Sequence, residues 1–335
     1  MTRALLVAAL VCLAASARGE PVVLRMAVVA PEGTAWAREF HAVSRDVERR
    51  TEGRVRVKWY LGGIAGDENQ VFERVQRGSL EGTGSGGPGC RRVMPSLRVL
   101  EVPGLFQEAG EAKYVVNQLA ADLAAEAQQS GFVYLGTSPL GAGIYFGRRP
   151  VTSMAELRAT RIWIWDLETT FISLAREMGL NIVPAALERA GREFDAGHSD
   201  AFWALPTAAL AFQWSTEAPY LVDLRGEYLF GCVLLTNRAF ALISPDDQRQ
   251  LRAATAQMAN RLDEVSRQQE EALLHGAFQH QGVKIVPVSD SFRAEFFAAA
   301  RVARDKMAPT LLPRELLQRA RGLLSDYRAE HGSGR

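Results

Sequence analysis

The sequence predicts an α/β protein of two lobes, with one long helix that could brace both. Three observations carry this. Strand-like apolar runs alternate with amphipathic helical runs from Val22 to Gln129, the β-α-β-α order that builds a mainly parallel sheet with helices on its faces. A second series of the same kind starts near Pro150. A strong helix start at Ser244-Pro245-Asp246-Asp247 opens a pattern running to about His280. At 1.5 Å per residue that is roughly 50 Å, longer than a single lobe.

In order along the chain, Val22 to Val29 is apolar and reads as a buried strand. Thr34 caps a helix over about Ala35 to Thr51, with Trp36, Phe40 and Val43 at helical spacing. Val55 to Tyr60 alternates like a strand. Asp67 caps a helix that ends at Gly78; a Gly-rich loop, a strand-like Val99 to Phe106 and a helix over about Glu111 to Gln129 follow. Phe132 to Phe146 is extended chain leaving this lobe. In the second lobe, strand Arg161 to Trp165 feeds a helix over Leu167 to Met178. Strand Asn181 to Pro184, a helix over Leu187 to Ala196 and strand Asp200 to Trp203 come next. Tyr228 to Thr236 is a long strand returning to the first lobe. At Ser244 the serine can cap, the proline suits the first turn, and both aspartates favour the positive end of the dipole. A strand over Lys284 to Val288 and two helices finish the chain. The expected division is 1–17 as a leader, 18–145 plus 228–335 as the first lobe, and 146–227 as the second.

Composition narrows the function. The chain is 47% hydrophobic and 23% charged with a formal net charge of +1, so it lacks the concentrated basic face that nucleic acid or an anionic membrane demands. Met1-Thr2-Arg3, the apolar run Leu5 to Ala15 and Ala15-Ser16-Ala17 form a secretory signal, with the mature chain starting near Arg18. That run is too short to span a bilayer, which takes about 20 residues, and no later segment is long and apolar enough for stable membrane insertion. Cys12 leaves with the signal. Cys90 and Cys232 either pair in an oxidising compartment or stay as buried thiols.

The chemical motifs are weak. Gly82-Thr83-Gly84-Ser85-Gly86-Gly87 matches GxGxxG, but Pro88 and Pro95 follow where a dinucleotide site needs a helix. It reads as a loop that lets backbone approach a ligand or the other lobe. The five histidines lack HExxH spacing and no CxxC pair occurs, so neither a catalytic metal nor a cofactor is expected. Glu168, Glu177, Glu188, Glu193 and Asp195 fall at helix-surface positions, and no spacing singles out an acid/base pair. No catalytic residue is assigned.

The aromatic segment is more informative. Residues 160–214 hold four of the six tryptophans. Strand alternation puts Arg161, Trp163 and Trp165 on one side and Ile162 and Ile164 on the other. Tryptophans there line a ligand site or lie under a helix, as in a doubly wound sheet. The same choice holds for Trp203, beside Phe202, and for Trp214, after the apolar run Pro206 to Phe212 and Gln213.

At these residues the chain resembles the periplasmic solute-binding subunits of tripartite ATP-independent (TRAP) transporters, over roughly Val22 to Leu312. Arg149-Pro150-Val151 through Leu157-Arg158-Ala159-Thr160-Arg161-Ile162-Trp163 follows the family's run from Pro-Val into a Leu-x-Gly-x-Lys-x-Arg strand. Phe194-Asp195-Ala196-Gly197-His198-Ser199-Asp200 follows its Leu-x-x-Gly-x-x-Asp, and Pro95 to Phe106 its stretch between two prolines and a phenylalanine. The resemblance implies a type II-like bilobal periplasmic binding protein, two α/β lobes joined by crossing strands, that closes on one small-molecule solute and docks to a membrane permease, with no catalysis.

Departures from the pattern sharpen the expectation. Arg161 stands at the family's lysine and Trp163 at the arginine that clamps a carboxylate. Indole cannot copy a bidentate guanidinium; it offers one donor and a broad apolar face. A hydrophobic or amphipathic solute is therefore expected, walled by Trp163, Trp203 and Trp214, with Gln213 and Tyr145 as polar anchors. Tyr145 lies near a second ligand-contacting arginine of the family. Arg161, Phe106, Ser85, Thr34 and Trp36 complete the candidates. The rivals are an organic-acid receptor using a displaced arginine such as Arg148, a ligand sensor for a partner protein, and a secreted enzyme on the same scaffold.

Overall fold

The structure is a computed structural model and describes residues 20–332; the leader expected over 1–17 lies outside them. Eleven strands form two sheets. They are β1 (Val22–Ala27), β2 (Val55–Tyr60), β3 (Gly82–Ser85), β4 (Phe132–Ala142), β5 (Ile144–Gly147) and β6 (Arg161–Trp165), then β7 (Asn181–Ala185), β8 (Ala201–Ala204), β9 (Tyr220–Val222), β10 (Tyr228–Thr236) and β11 (Lys284–Val286). The first sheet has the order β2-β1-β3-β10-β4, parallel through β2, β1 and β3, with β10 antiparallel to its neighbours. The second has the order β11-β9-β5-β8-β6-β7, with β8, β6 and β7 parallel.

Two strand crossings join the sheets. β4 runs through Gly143 into β5, and β9 returns through Gly226 and Glu227 into β10. The crossings are pinned to each other: the Gly143 N–H donates to the Glu227 carbonyl at 3.0 Å, and the Gly226 N–H to the Gly143 carbonyl at 3.3 Å. The bilobal α/β architecture thus follows the alternation in the sequence.

The sheets draw the boundaries differently from the expected ones. β5 already belongs to the second sheet. β11 pairs with β9, so a piece of the segment assigned to the first lobe completes the second. The C-terminal helices divide likewise: Asp290–Leu311 packs on Thr169–Glu177 in the second lobe, and Arg314–His331 on Ala109–Gln118 in the first.

The bridging helix covers Pro245–Ala272, with the Ser244 side chain accepting from the Asp247 N–H. Its 28 residues span about 42 Å. It packs on β4 and helix Ala35–Arg50 in the first lobe and on helix Pro206–Ala211 in the second. It does not run straight to His280: His275 and Gly276 leave helical geometry, Gly276 at φ 153°, where a glycine is least strained.

Three further expectations are corrected. The Gly-rich stretch is a loop only from Gly86; Gly82–Ser85 is a fully buried central strand. A Cβ on Gly82 would meet the Leu234 carbonyl oxygen at 2.2 Å, so glycine permits the close approach of β10. Val99 to Phe106 is turn rather than strand. Gly104 sits at φ 68°, while Val99, Leu100, Val102, Leu105 and Phe106 are buried in the core; burial, not pairing, explains the apolar run. The helix expected over Glu111 to Gln129 is two, Ala109–Gln118 and Ala120–Gln129, meeting at Leu119. Cys90 and Cys232 form a disulfide with Cα atoms 5.8 Å apart, tying helix Pro88–Val93 to β10.

Candidate functional site

Where the lobes face each other they enclose a cavity of about 170 Å³, comparable with the roughly 150 Å³ that accommodates a benzene ring. It opens beyond the carboxyl ends of β1, β3, β6 and β8, where ligands bind in α/β sheets. Val28, Trp36, Ser85 and Leu229 contribute from the first lobe, and Trp163, Trp203, Phe212 and Trp214 from the second. Five of the six tryptophans line it, and none of its 32 lining residues is Lys, Arg or His.

The second-lobe wall is an aromatic stack set by strand register. Trp163 lies beside Phe202 across the parallel β6–β8 pair, so both rings project from one face. Trp214 meets Trp163 edge to face at 5.0 Å and 60°, and stacks on Phe202 at 5.1 Å and 6°. Gln213, in the left-handed region at φ 62°, separates helix Pro206–Ala211 from Trp214–Glu217. The bend brings Phe212 and Trp214 into stacking at 5.1 Å. Among the described residues the indole N–H of Trp163 has no partner.

Trp203 takes the other face of β8. Its ring stacks on Phe296 at 5.9 Å and lies 5.6 Å from Phe171. Its N–H donates to both carboxyl oxygens of Glu227, at 2.9 Å each. Two glycines leave room for it: a Cβ on Gly143 would come within 2.6 Å of Nε1, and one on Gly226 within 2.5 Å of Cζ2. Trp203 is thus held at the point where the strands cross.

A buried polar cluster lies under the cleft. Ser85 Oγ donates to Glu68, whose carboxylate also accepts from the Gly86 and Gly89 N–H groups at 2.7 and 2.8 Å. Arg91 pairs with Glu101 in its own lobe and with Glu168 across the cleft at 2.7 Å. Burial works against the Arg91 charge, but Glu101 and Glu168 outweigh it and hold the guanidinium ionised. Burial also pushes Glu101 up to about 7 and raises Glu168 and Glu68. Glu168 is therefore not a surface residue, as its helix-start position suggested, but the second lobe's half of an ion pair between lobes. Nothing in the local sequence marks Glu68, Arg91, Glu101 or Glu227, because their partners lie in other elements. Three carboxyls near one buried arginine become legible only after folding.

Of the residues singled out in the sequence, Trp163, Trp203, Trp214, Ser85 and Trp36 come together on the cleft wall. Trp165 and Glu168 line it as well, and the remaining binding candidates do not. Arg161 is at the far end of β6, exposed and bidentate to Asp200 at 2.8 Å. Tyr145 is buried behind the sheet with its hydroxyl donating to the Arg149 carbonyl at 3.3 Å, and burial pushes its pKa up to about 12. Phe106 packs in the first-lobe core against Tyr228. Gln213 is exposed on its bend, and Thr34 is spent on capping, accepting from the Ala37 N–H at 3.1 Å. Arg148 is no displaced clamp either: its guanidinium lies 3.7 Å over the Phe194 ring and donates to the Phe194 carbonyl at 2.5 Å.

Among the described residues no group of His, Cys, Asp and Glu is arranged to hold a metal ion, and no helix is long and apolar enough to cross a membrane.

Residues 26–310 match the family model described as bacterial extracellular solute-binding protein, family 7 (DctP). A solute-binding protein of Verminephrobacter eiseniae is 21% identical over 258 residues, 76% of each chain. The uncharacterized protein YiiZ of Salmonella typhimurium is 25% identical over 138 residues, 40% of this chain and 42% of YiiZ, so that match spans less than half of the relative. The fold is similar to a TRAP periplasmic solute-binding protein from Haemophilus influenzae with bound L-gulonate, at TM-score 0.83 and 15% identity over 91% of this chain and 99% of that one. It is also similar to the sugar acid binding protein DctPAm from Advenella mimigardefordensis in complex with galactonate, at TM-score 0.84 and 16% identity over 92% and 99%.

Proposed function

Because this chain belongs to bacterial extracellular solute-binding protein family 7, a family of receptors rather than enzymes, we propose that it is the periplasmic receptor of a TRAP-type transporter for a hydrophobic or amphipathic organic solute. The solute occupies the cleft between the lobes, closure buries it, and the closed receptor delivers it to the membrane permease subunits. One observation carries the polarity of the ligand: among the described residues five tryptophans and no basic side chain line the cleft.

A buried carboxylate without a cation loses several kcal/mol of hydration that nothing returns. Apolar surface is held differently, at about 25 cal/mol per Å² removed from water. Trp163 stands where the resemblance places a carboxylate-clamping arginine, and it supplies area instead of charge. Trp203, Trp214 and Trp36 extend that area, and Ser85 is held by Glu68 beneath it. The solved relatives carry gulonate and galactonate; the cationless cleft here argues for a different class of solute.

Mass spectrometry of the ligand extracted from the purified full chain tests this. The expected result is an apolar or amphipathic molecule whose binding is insensitive to salt. A small mono- or dicarboxylate, bound tightly and weakened steeply by salt, would overturn the reading.

A further inference from the structure

We propose that Glu227 is the polar end of the cleft, where its carboxyl group hydrogen-bonds a neutral hydroxyl or carbonyl head of the solute and turns away anionic ones. The inference deepens the apolar reading above and rests on it.

The hydroxyl groups of the cleft and Glu168 are already committed. Ser85 Oγ donates to Glu68 and accepts from the Gly87 and Cys90 N–H groups, both at 3.2 Å. Ser138 Oγ donates to the Pro139 carbonyl and Thr255 Oγ1 to the Leu251 carbonyl. Glu168 is held by Arg91. Glu227 differs. It is 5% exposed, and among the described residues its side chain has one partner, the Trp203 N–H shared between its two oxygens. A carboxyl group offers about four acceptor sites when ionised, or a donor plus acceptors when neutral. One shared N–H leaves most of that capacity unused, in a group that lines the cavity.

Its surroundings decide the charge state. The titratable groups acting on it are Glu168 and Glu101, and the Arg91 that pairs with both is already matched by two carboxylates. Burial raises the Glu227 pKa well above its ordinary value, the Trp203 N–H opposes this, and the two neighbouring glutamates raise it further. Burial and the two glutamates both favour the uncharged acid, the form with an O–H to give. A hydroxyl or carbonyl oxygen on the solute accepts that O–H, and a hydroxyl can donate back to the second oxygen. A carboxylate head would instead be buried beside like charge with no cation to meet it. Placement adds a consequence. The Glu227 backbone carbonyl accepts from Gly143 at the strand crossing, so a solute held here touches the hinge itself.

The test is titration of the full chain with octan-1-ol, octanoate and octylamine, read by tryptophan fluorescence. The alcohol is expected to bind at least about tenfold more tightly than either ion at neutral pH, a difference of about 1.4 kcal/mol. Its affinity should not increase as pH rises, since burial favours the protonated form that donates. Glu227→Gln keeps a donor and an acceptor and should retain octanol within about threefold, whereas Glu227→Leu should lose about tenfold or more. Unchanged octanol affinity in Glu227→Leu would overturn the proposal while leaving the apolar reading intact. Preference for octylamine, abolished in Glu227→Gln, would overturn it in favour of an ionised carboxylate receiving an ammonium group. Preference for octanoate, or no binding of any of the three, would sink the apolar reading itself.

Discussion

The indole of Trp163 meets that of Trp214 edge to face at 5.0 Å, and the two rings are at once wall of the cleft and core of the second lobe. Trp163 is only 2% exposed. Trp163→Ala therefore creates a cavity and costs about 3–5 kcal/mol of stability as well as affinity, so it does not separate the two roles. Trp163→Phe does. It removes an N–H that has no partner and keeps a ring in the stack. The melting temperature should fall by a few degrees at most, while affinity for an apolar probe such as octan-1-ol drops by about tenfold. Lost stability with unchanged affinity, measured by calorimetry, would make Trp163 core alone.

Five of the six tryptophans line the cleft and Trp59 does not. Intrinsic fluorescence should therefore report occupancy directly, with a shift in intensity and emission maximum on titration with octan-1-ol. Trp59→Phe should leave the ligand-induced change whole, while Trp214→Phe should reduce it. A change that vanished with Trp59 would place the ligand elsewhere.

The Cys90–Cys232 disulfide closes a sequence separation of 142 residues, and Cys232 lines the cleft. A cross-link over so long a loop restricts the unfolded chain strongly, with a typical contribution of 2–4 kcal/mol, about 5 at most. Alkylation of the denatured, unreduced protein should find neither Cys90 nor Cys232 as a free thiol. The Cys90→Ser, Cys232→Ser double variant should unfold at lower denaturant concentration by an amount in that range. Equal midpoints with and without reductant would contradict the bond.

Much of the fold was legible in the sequence because periodicity reports burial. The strands at Val22, Val55, Arg161 and Tyr228 and the capped starts at Thr34, Asp67 and Ser244 stand where their patterns put them. Val99 to Phe106 misled because its apolar residues are buried without pairing. Gly82–Ser85 misled because glycines there serve close packing rather than a turn. For the cleft, tryptophans on β6 and β8 were legible from strand alternation, since a side chain's face is a local property. Arg91, Glu101, Glu168 and Glu227 were not. Each has an ordinary local context: Arg91 and Glu101 meet within the first lobe, Glu168 reaches Arg91 across the cleft, and Glu227 lies at the strand crossing.

These buried glutamates predict an uncommon dependence of stability on pH. Burial pushes Glu101 up to about 7, with Arg91 opposing and Glu168 adding to the rise; Glu68, Glu168 and Glu227 are raised mainly by burial too. A carboxyl with a higher pKa folded than unfolded contributes stability that is full below its unfolded value, about 4.3. That contribution is lost as pH rises through the folded value. Asp200 and Asp247, lowered by hydrogen bonds from Arg161 and Arg54, run the other way and act only below about pH 4. Between about pH 5.5 and 7.5 the melting temperature should therefore fall by a few degrees as pH rises. Glu101→Gln should flatten the slope. A rise over that window, equal in both proteins, would show that other groups govern it.

The slot around Trp203 ties its packing to closure of the lobes. A Cβ on Gly143 would lie 2.3 Å from Glu227 Oε1 and 2.6 Å from Trp203 Nε1, far inside contact distance. The same atom on Gly226 would meet Trp203 Cζ2 at 2.5 Å and Phe296 Cζ at 3.0 Å. The Glu227 carboxyl end can shift, but the rings cannot, because Trp203 is 4% exposed and Phe296 fully buried. Gly143→Ala and Gly226→Ala should each cost about 1–3 kcal/mol, as overpacked core substitutions do. Because Trp203 sits where the strands cross, the strain should also fall on the geometry of closure. Solution scattering should find the Gly143→Ala chain more extended than the wild type in the presence of octan-1-ol, with weaker binding. A destabilised chain with unchanged affinity and dimensions would mean that the two glycines serve packing alone, and that the crossing strands bend somewhere other than at Gly143.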